Sequence, residues 1–236
     1  MDVVVLTRSL EKDAELAALL DAAAVPHVSV PLVEHAPGPG YDSLADELRR
    51  GWSWVAVTSP TAARFLQEAW LRAGRPSLRL AAVGTGTARI LERAGMNVVF
   101  VPEDAYGSTL ARTLPDPGPL LWPASELAGA AFGRELEARG FSVLRLDVYR
   151  TRPRELELRE RSYLEEAAVA AFASPSAVQA WGVASGARPP VAAIGRVTGR
   201  AALDAGFAPA VWPDNPGVRD WARVIQNLYE QKGRPP

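Results

Sequence analysis

The sequence predicts an α/β protein built from two similar parallel-sheet domains. Short apolar runs alternate with amphipathic stretches along all 236 residues. The segment "VAVTSPTAA" at 55–63 is echoed by "AAFASPSAV" at 170–178. Each copy is followed by a second match, "LAAVGTGTARILERAGMNVVFVP" at 80–102 and "VAAIGRVTGRAALDAGFAPAVWP" at 191–213. In that pair Gly84 aligns with Gly195, Thr87 with Thr198, Arg89 with Arg200, Gly95 with Gly206 and Pro102 with Pro213, without a gap. Self-similarity over such lengths marks a repeated structural unit.

Apolar runs bounded by turn residues predict strands near 3–7, 27–33, 54–58, 79–83, 98–101, 119–122, 143–149, 168–173, 191–194 and 209–212. Helices lie between them. "LEKDAELAALLDAAA" sets Leu10, Leu16, Leu19, Leu20 and Ala23 on one stripe. "ELAGAAFGRELEARG" (126–140) reads as a helix closed by Gly140 as its C-cap. The sign-alternating run "RTRPRELELRERS" reads as a solvated helix face starting near Pro153, and the tail "EQKGRPP" (230–236) as frayed.

A weaker third pair aligns residues 3–35 with 119–151, so the elements of the two halves follow in rotated order. This predicts a discontinuous domain of residues 1–35 and 150–236, with residues 36–149 inserted as a second domain. The passages between them, 28–36 and 143–152, alternate apolar and polar residues. Two such neighbouring segments suit a two-stranded antiparallel linker. The alternative, one continuous sheet of nine or ten strands, is disfavoured because open sheets of that size are uncommon.

Composition narrows the chemistry. Hydrophobic residues at 48% and charged ones at 22% are those of an ordinary globular protein. A net charge of −1 gives no general basic face, so no nucleic-acid partner is expected. Without cysteine there is no disulfide, thiolate nucleophile or cysteine-rich zinc site, and His27 and His35 are the only histidines. No HxH or HExxH spacing exists, so no metal is expected. No GxxxxGK[ST] run occurs, "VGTGTARIL" has Arg89 where GxGxxG needs glycine, and no Ser-His-Asp arrangement suggests itself. The start "MDVVVLTRSLEKD" lacks signal-peptide character and no apolar run reaches spanning length. A cytoplasmic monomer without a membrane partner is expected.

In "TSPTAA" the serine suits a helix N-cap and the proline its first turn. Such a turn leaves backbone N–H groups at the carboxyl edge of a parallel sheet, where they favour anions. "VGTGTAR" and "IGRVTGR" offer the same with glycine for close approach and threonine for a hydroxyl. Each turn alone is a routine cap. Four of them, two per domain, predict that both domains grip one large, multiply anionic molecule outside the strand ends.

These residues resemble one family, uroporphyrinogen-III synthase. The likeness lies in "LTRS" at the first strand, the "TSP" turn, "AAVGTGTAR", "AAIGRVTGR" and "VYRT" at 148–151, and spans about residues 3–225. Where relatives often carry arginine and glycine after the strand at 119–122, this chain has "WPASELA" with Ala124. The resemblance implies two flavodoxin-like domains joined by a two-stranded linker. It also implies a small-molecule substrate, the linear tetrapyrrole hydroxymethylbilane with its eight carboxylates. The substrate is closed to a macrocycle with inversion of its last ring and loss of water, in tetrapyrrole (heme, siroheme, cobalamin) biosynthesis, and no cofactor is used.

On that implication Thr7, Arg8, Ser59, Thr61, Gly84, Thr87, Ser174, Ser176, Gly195 and Thr198 are substrate-binding positions. Tyr149, placed by "VYRT", is the candidate to assist departure of the hydroxyl as a hydrogen-bond donor. Pyrrole nitrogen helps expel hydroxide, so the enzyme's task is chiefly positioning, a contribution of roughly 7–11 kcal/mol. Blander readings stand beside these: Tyr149 as a half-buried strand aromatic, Arg8 as a surface ion-pair residue, His27 and His35 as linker packing, Trp122 and Trp212 as core or rim packing. The rival function is a non-catalytic two-domain cytoplasmic binding protein for an anionic small molecule.

Overall fold

The structure, a computed structural model, describes residues 2–215 and 217–232. Elements run in chain order as β1 (Val3–Leu6), α1 (Leu10–Ala22), β2 (His27–Ser29), β3 (Val33–Pro37), α2 (Tyr41–Glu47), β4 (Trp54–Val57) and α3 (Pro60–Arg72). There follow β5 (Leu80–Ala82), α4 (Thr85–Arg93), β6 (Val98–Phe100), α5 (Gly107–Thr113), β7 (Pro119–Ser125), α6 (Ala131–Glu137) and β8 (Ser142–Pro153). The last part holds α7 (Leu158–Glu165), β9 (Ala167–Phe172), α8 (Pro175–Ala184), β10 (Val191–Ala193), α9 (Arg196–Asp204), β11 (Ala210–Val211) and α10 (Val218–Lys232). The chain divides into two compact units, one reaching to Glu34 and resuming at Arg152, the other His35–Thr151.

In the first unit the strands lie in the order β11-β10-β9-β1-β2, and every pair is parallel. Read from the other edge this is 2-1-3-4-5 in the order of the unit's own strands, the flavodoxin-like arrangement. β9, "AAVAAF", is a continuous buried apolar run, as a central parallel strand requires. Alternation along β1 sends Val4 and Leu6 to a core with Leu16, Leu20, Trp221 and Ile225. Val5 goes to the opposite face with Phe172, Trp181 and Phe207. Each fully buried Val or Leu contributes roughly 1.5–3 kcal/mol.

The second sheet has the order β3-β8-β7-β4-β5-β6, with β4, β5, β6, β7 and β8 parallel to one another. Val55 and Val57 face Leu44, Leu66 and Leu91 from α2, α3 and α4. Trp54 and Ala56 face Leu110, Phe132 and Leu136 from α5 and α6. Helices thus cover both faces of each sheet, and the α/β class read from the sequence holds. β3 and β8 run in opposite senses, with Arg154 N–H on Leu32 O, His35 beside Thr151, and Gly38 N–H on Val148 O. Gly38 has to be glycine, since a Cβ there would sit 2.3 Å from Asp147 O.

Several local expectations change. The strand expected at 27–33 is two strands, β2 ending at Ser29 and β3 starting at Val33, with Val30 N–H on Leu6 O and Leu32 N–H on Thr7 O between them. The helix expected over 126–140 starts only at Ala131, while Gly140 does close it, with φ +88°. On α1, Leu16 and Leu20 are buried, but Leu10 at one end of the stripe is 72% exposed and Ala23 lies just beyond the other. β8 continues through Pro153, and α7 begins after a Glu157–Glu160 capping box. Glu230–Lys232 of the tail belong to α10, and 233–236 lie outside the described residues. Among the described residues no helix is long and apolar enough to cross a membrane.

Candidate functional site

Both Ser-Pro turns adopt one backbone. Ser59 has φ −156° and ψ 154°, and Ser174 has φ −157° and ψ 153°. Ser59 Oγ accepts the amide of Ala62 at 3.0 Å, and Ser174 Oγ accepts that of Ala177 at 3.3 Å. Each proline occupies the first turn, where its missing N–H costs nothing. The N–H groups of Thr61 and Ser176 then have no partner within their own helices. Gly84 and Gly195 are the N-caps of α4 and α9 in equally extended conformations.

Sheet register brings these turns level. Val57 pairs with Ala82, so Ser59 and Gly84 end neighbouring strands at one height. Val55 pairs with Leu121, which extends to Ser59 beside Ser125, and Ser125 itself pairs with Tyr149. In the other unit Leu6 pairs with Ala171 and Ala193 with Phe172. Ser9, Ser174 and Gly195 therefore share a level at the carboxyl edge.

Tyr149 lies at the rim of the second unit. Its side chain is 7% exposed. The hydroxyl lies 3.2 Å from Ser59 Oγ, a pair 90 residues apart in sequence. Phe65 of α3 stacks on its ring at 5.5 Å and 13°, and His35 meets the ring edge-on at 5.4 Å. Its backbone carbonyl accepts the Glu126 amide at 2.9 Å. Trp122 Nε1 donates to Thr58 Oγ1 at 3.1 Å, fixing the residue before Ser59. The corresponding serine of the first unit has a different neighbour, Ser176 Oγ, at 2.9 Å.

Four positions expected to meet ligand through their side chains are engaged or buried within the protein itself. Thr7 is 2% exposed and donates Oγ1–H to Ala171 O at 2.7 Å. Thr87 and Thr198 are 3% and 4% exposed. Arg8 donates from Nε to Asp13 Oδ1 at 2.7 Å and lies 5.1 Å over the Trp221 ring. Asp13 is 1% exposed, and burial raises its carboxyl above the ordinary range despite Arg8, whose hydrogen bonds and charge pull it down. The glycines also differ. A Cβ on Gly84 would meet Ala105 Cβ at 2.7 Å, whereas one on Gly195 would meet nothing within 4 Å.

Ser125, Phe65, Thr58, Trp122 and Arg145 belong to this rim and were not singled out as site residues from sequence. Only Ser125, in register with Tyr149, had a signal that pairing the third repeat strand by strand would have exposed. Among the described residues no group of three or more His, Asp or Glu gathers as a metal site.

Two doubly covered parallel sheets, each with a capped serine turn and a glycine turn level at its carboxyl rim, define a small-molecule-binding α/β protein of the open-sheet kind. The family described as Uroporphyrinogen-III synthase HemD matches residues 14–223. A chloroplastic uroporphyrinogen-III synthase of Oryza sativa subsp. japonica is 35% identical over 247 residues, covering 98% of this chain and 82% of the relative. The chain belongs to the uroporphyrinogen-III synthase family. Its fold matches two solved structures of that name. The one from Helicobacter pylori has a TM-score of 0.70 at 17% identity, covering 97% of this chain and all of the other. A mutant from the extremely thermophilic bacterium Thermus thermophilus has a TM-score of 0.60 at 22% identity, with 97% and 99% covered.

Proposed function

We propose that the chain carries out the reaction for which its family is named, a cyclising lyase step that closes hydroxymethylbilane to uroporphyrinogen III. Membership of the family supports the activity. The observation that carries the assignment of residues is the Tyr149 hydroxyl beside the capping oxygen of Ser59, 3.2 Å away at a helix start.

Positioning is the main task. The N–H groups at Thr61, Ser176 and the starts of α4 and α9 bind acetate and propionate arms, helped by the Ser59, Ser174 and Ser176 hydroxyls and by the partial positive charge of each helix N-terminus. Gly84 and Gly195 set the approach to two of these helices. Thr7, Arg8, Thr87 and Thr198 act behind the rim, holding the turns in shape. Tyr149 donates its hydroxyl proton as a hydrogen bond to the departing hydroxyl of the substrate. The pyrrole nitrogen supplies the electron pair as that C–O bond breaks and then gives up its N–H proton, so hydroxide and that proton leave together as water. The resulting azafulvene carbon is attacked by the substituted carbon of the last ring, and the spiro intermediate fragments and recloses with that ring reversed.

The working unit we propose is a single cytoplasmic chain, since both rims occur in one polypeptide. Absence of cysteine, which leaves nothing for an oxidising compartment to cross-link, is in keeping with that location. Incubation with freshly prepared hydroxymethylbilane, followed by separation of the product isomers, tests the reading. Uroporphyrinogen III should dominate; recovery of the symmetric isomer alone would return the chain to the class of binding proteins.

A further inference from the structure

β8 carries a fault in its register at the site. Ala124 pairs with Asp147, yet the next residue, Ser125, pairs with Tyr149, so Val148 is an extra residue on one strand. The consequence shows in the faces. Leu144 and Leu146 join the core on the α3 side, while Val143 joins the core on the α6 side. Strict alternation would send Tyr149 with Val143. Instead Val148 and Tyr149 both enter the α3-side core, beside Phe65 and Ser59. The irregularity is what turns Tyr149 toward its hydroxyl partner.

One side chain fastens the chain on both sides of that fault. Arg145 donates from Nε to Asp147 Oδ1 at 2.7 Å and from Nη1 to Ala128 O at 2.8 Å. Its Nη2 reaches Ser125 O at 3.1 Å and Glu126 O at 3.3 Å. The guanidinium also lies 5.1 Å over the Trp122 ring. The Glu126 and Ala128 carbonyls belong to the segment whose sequence reads as helix but whose helix starts only at Ala131, and Ser125 ends β7 just before it. Glu126, held by its carbonyl, gives its own N–H to Tyr149 O.

We propose that Arg145 is a positioning residue for the reaction: by clamping the Ser125–Ala130 turn and Asp147 it holds the bulge that presents Tyr149 to Ser59. The proposal rests on the role of Tyr149 given above. A planar fork of five donors fits three carbonyls and a carboxylate together, and a lysine, with one flexible ammonium, does not.

The test compares Arg145→Met and Arg145→Lys with the wild type, with enough enzyme present to outrun uncatalysed cyclisation and rates normalised to folded protein. Arg145→Met should lower kcat about tenfold while KM stays within about twofold, the pattern of misplaced reacting groups. Its product should contain more of the symmetric isomer, and the Glu126 amide should exchange hydrogen faster. Arg145→Lys, which keeps stem and charge, serves if the methionine variant does not fold, and should show the same changes to a smaller degree. In a Tyr149→Phe background Arg145→Met should add little. Unchanged kcat and isomer ratio in both arginine variants, or a full additional loss in the Tyr149→Phe background, would overturn the proposal. Failure of the functional reading is separate, since it shows as wild-type protein yielding the symmetric isomer alone.

Discussion

The Tyr149 hydroxyl and Ser59 Oγ stand 3.2 Å apart, and that serine oxygen also accepts the Ala62 amide that starts α3. One hydroxyl pair therefore links the bulged strand β8 to the N-terminus of a helix. Replacing Tyr149 by Phe keeps the stack on Phe65 and removes only the donor. The expected result is a fall in kcat of about tenfold to a hundredfold, at or below the roughly hundredfold lower limit for full proton transfer because only a hydrogen bond is lost. Steady-state rates check it, and an unchanged rate would take Tyr149 out of the mechanism.

Ser59→Ala and Ser174→Ala remove matched N-caps. Each should cost about 1 kcal/mol of stability. They should differ in catalysis, because only Ser59 touches Tyr149. The expected outcome is similar losses in urea unfolding, with kcat lowered by Ser59→Ala and KM raised by both.

Gly84→Ala and Gly195→Ala form a second matched pair with unequal surroundings. The first would press a methyl to 2.7 Å from Ala105 Cβ, the second into open space. Gly84→Ala should destabilise its unit by about 1–3 kcal/mol, the usual range for overpacking. Gly195→Ala should unfold within a few tenths of the wild type, since its conformation is extended and not left-handed.

Two carboxylates give opposite pH dependence. Asp13 has its folded-state pKa raised from 3.8, chiefly by burial. The native state then binds more protons, so stability relative to Asp13→Asn is full below that value and falls as pH rises through the folded one. Glu160 is lowered from 4.5, mainly by its hydrogen bond from Arg154. Its contribution relative to Glu160→Gln is present above 4.5 and is lost as pH falls through the folded value. Unfolding midpoints of the wild type and these two variants measured across the acid range should diverge in these two directions.

The strands and Ser-Pro turns were legible because central parallel strands are continuous apolar runs and a capped helix start has its own residue chemistry. The rim positions of Ser59 and Ser174 followed from that. The inward burial of Thr7, Thr87 and Thr198 did not, because a hydroxyl after a strand serves a neighbouring carbonyl or helix packing as readily as a ligand. Arg8 was equally mute, since its partner Asp13 lies one helix turn away and only the packed helix buries the pair. Most hidden was the face taken by Tyr149. Period-two reading places it opposite to where it lies, and the shift depends on the Arg145 hydrogen bonds that reach across to the turn after β7.

The adjacency of β3 and β8 bears on how the gene could be taken apart. Where the chain enters the inserted unit and where it leaves, His35 Nδ1 lies 3.1 Å from Thr151 Oγ1. Entry and exit are neighbours, so the insert can be cut out and the flanking ends rejoined by a tight turn from Glu34 to Arg152. What remains is a strand set already in 2-1-3-4-5 order. Such a half-length chain is expected to express as a folded module that keeps the Ser174 and Gly195 turns and lacks Tyr149, so that the proposed binding can be measured apart from the proposed chemistry.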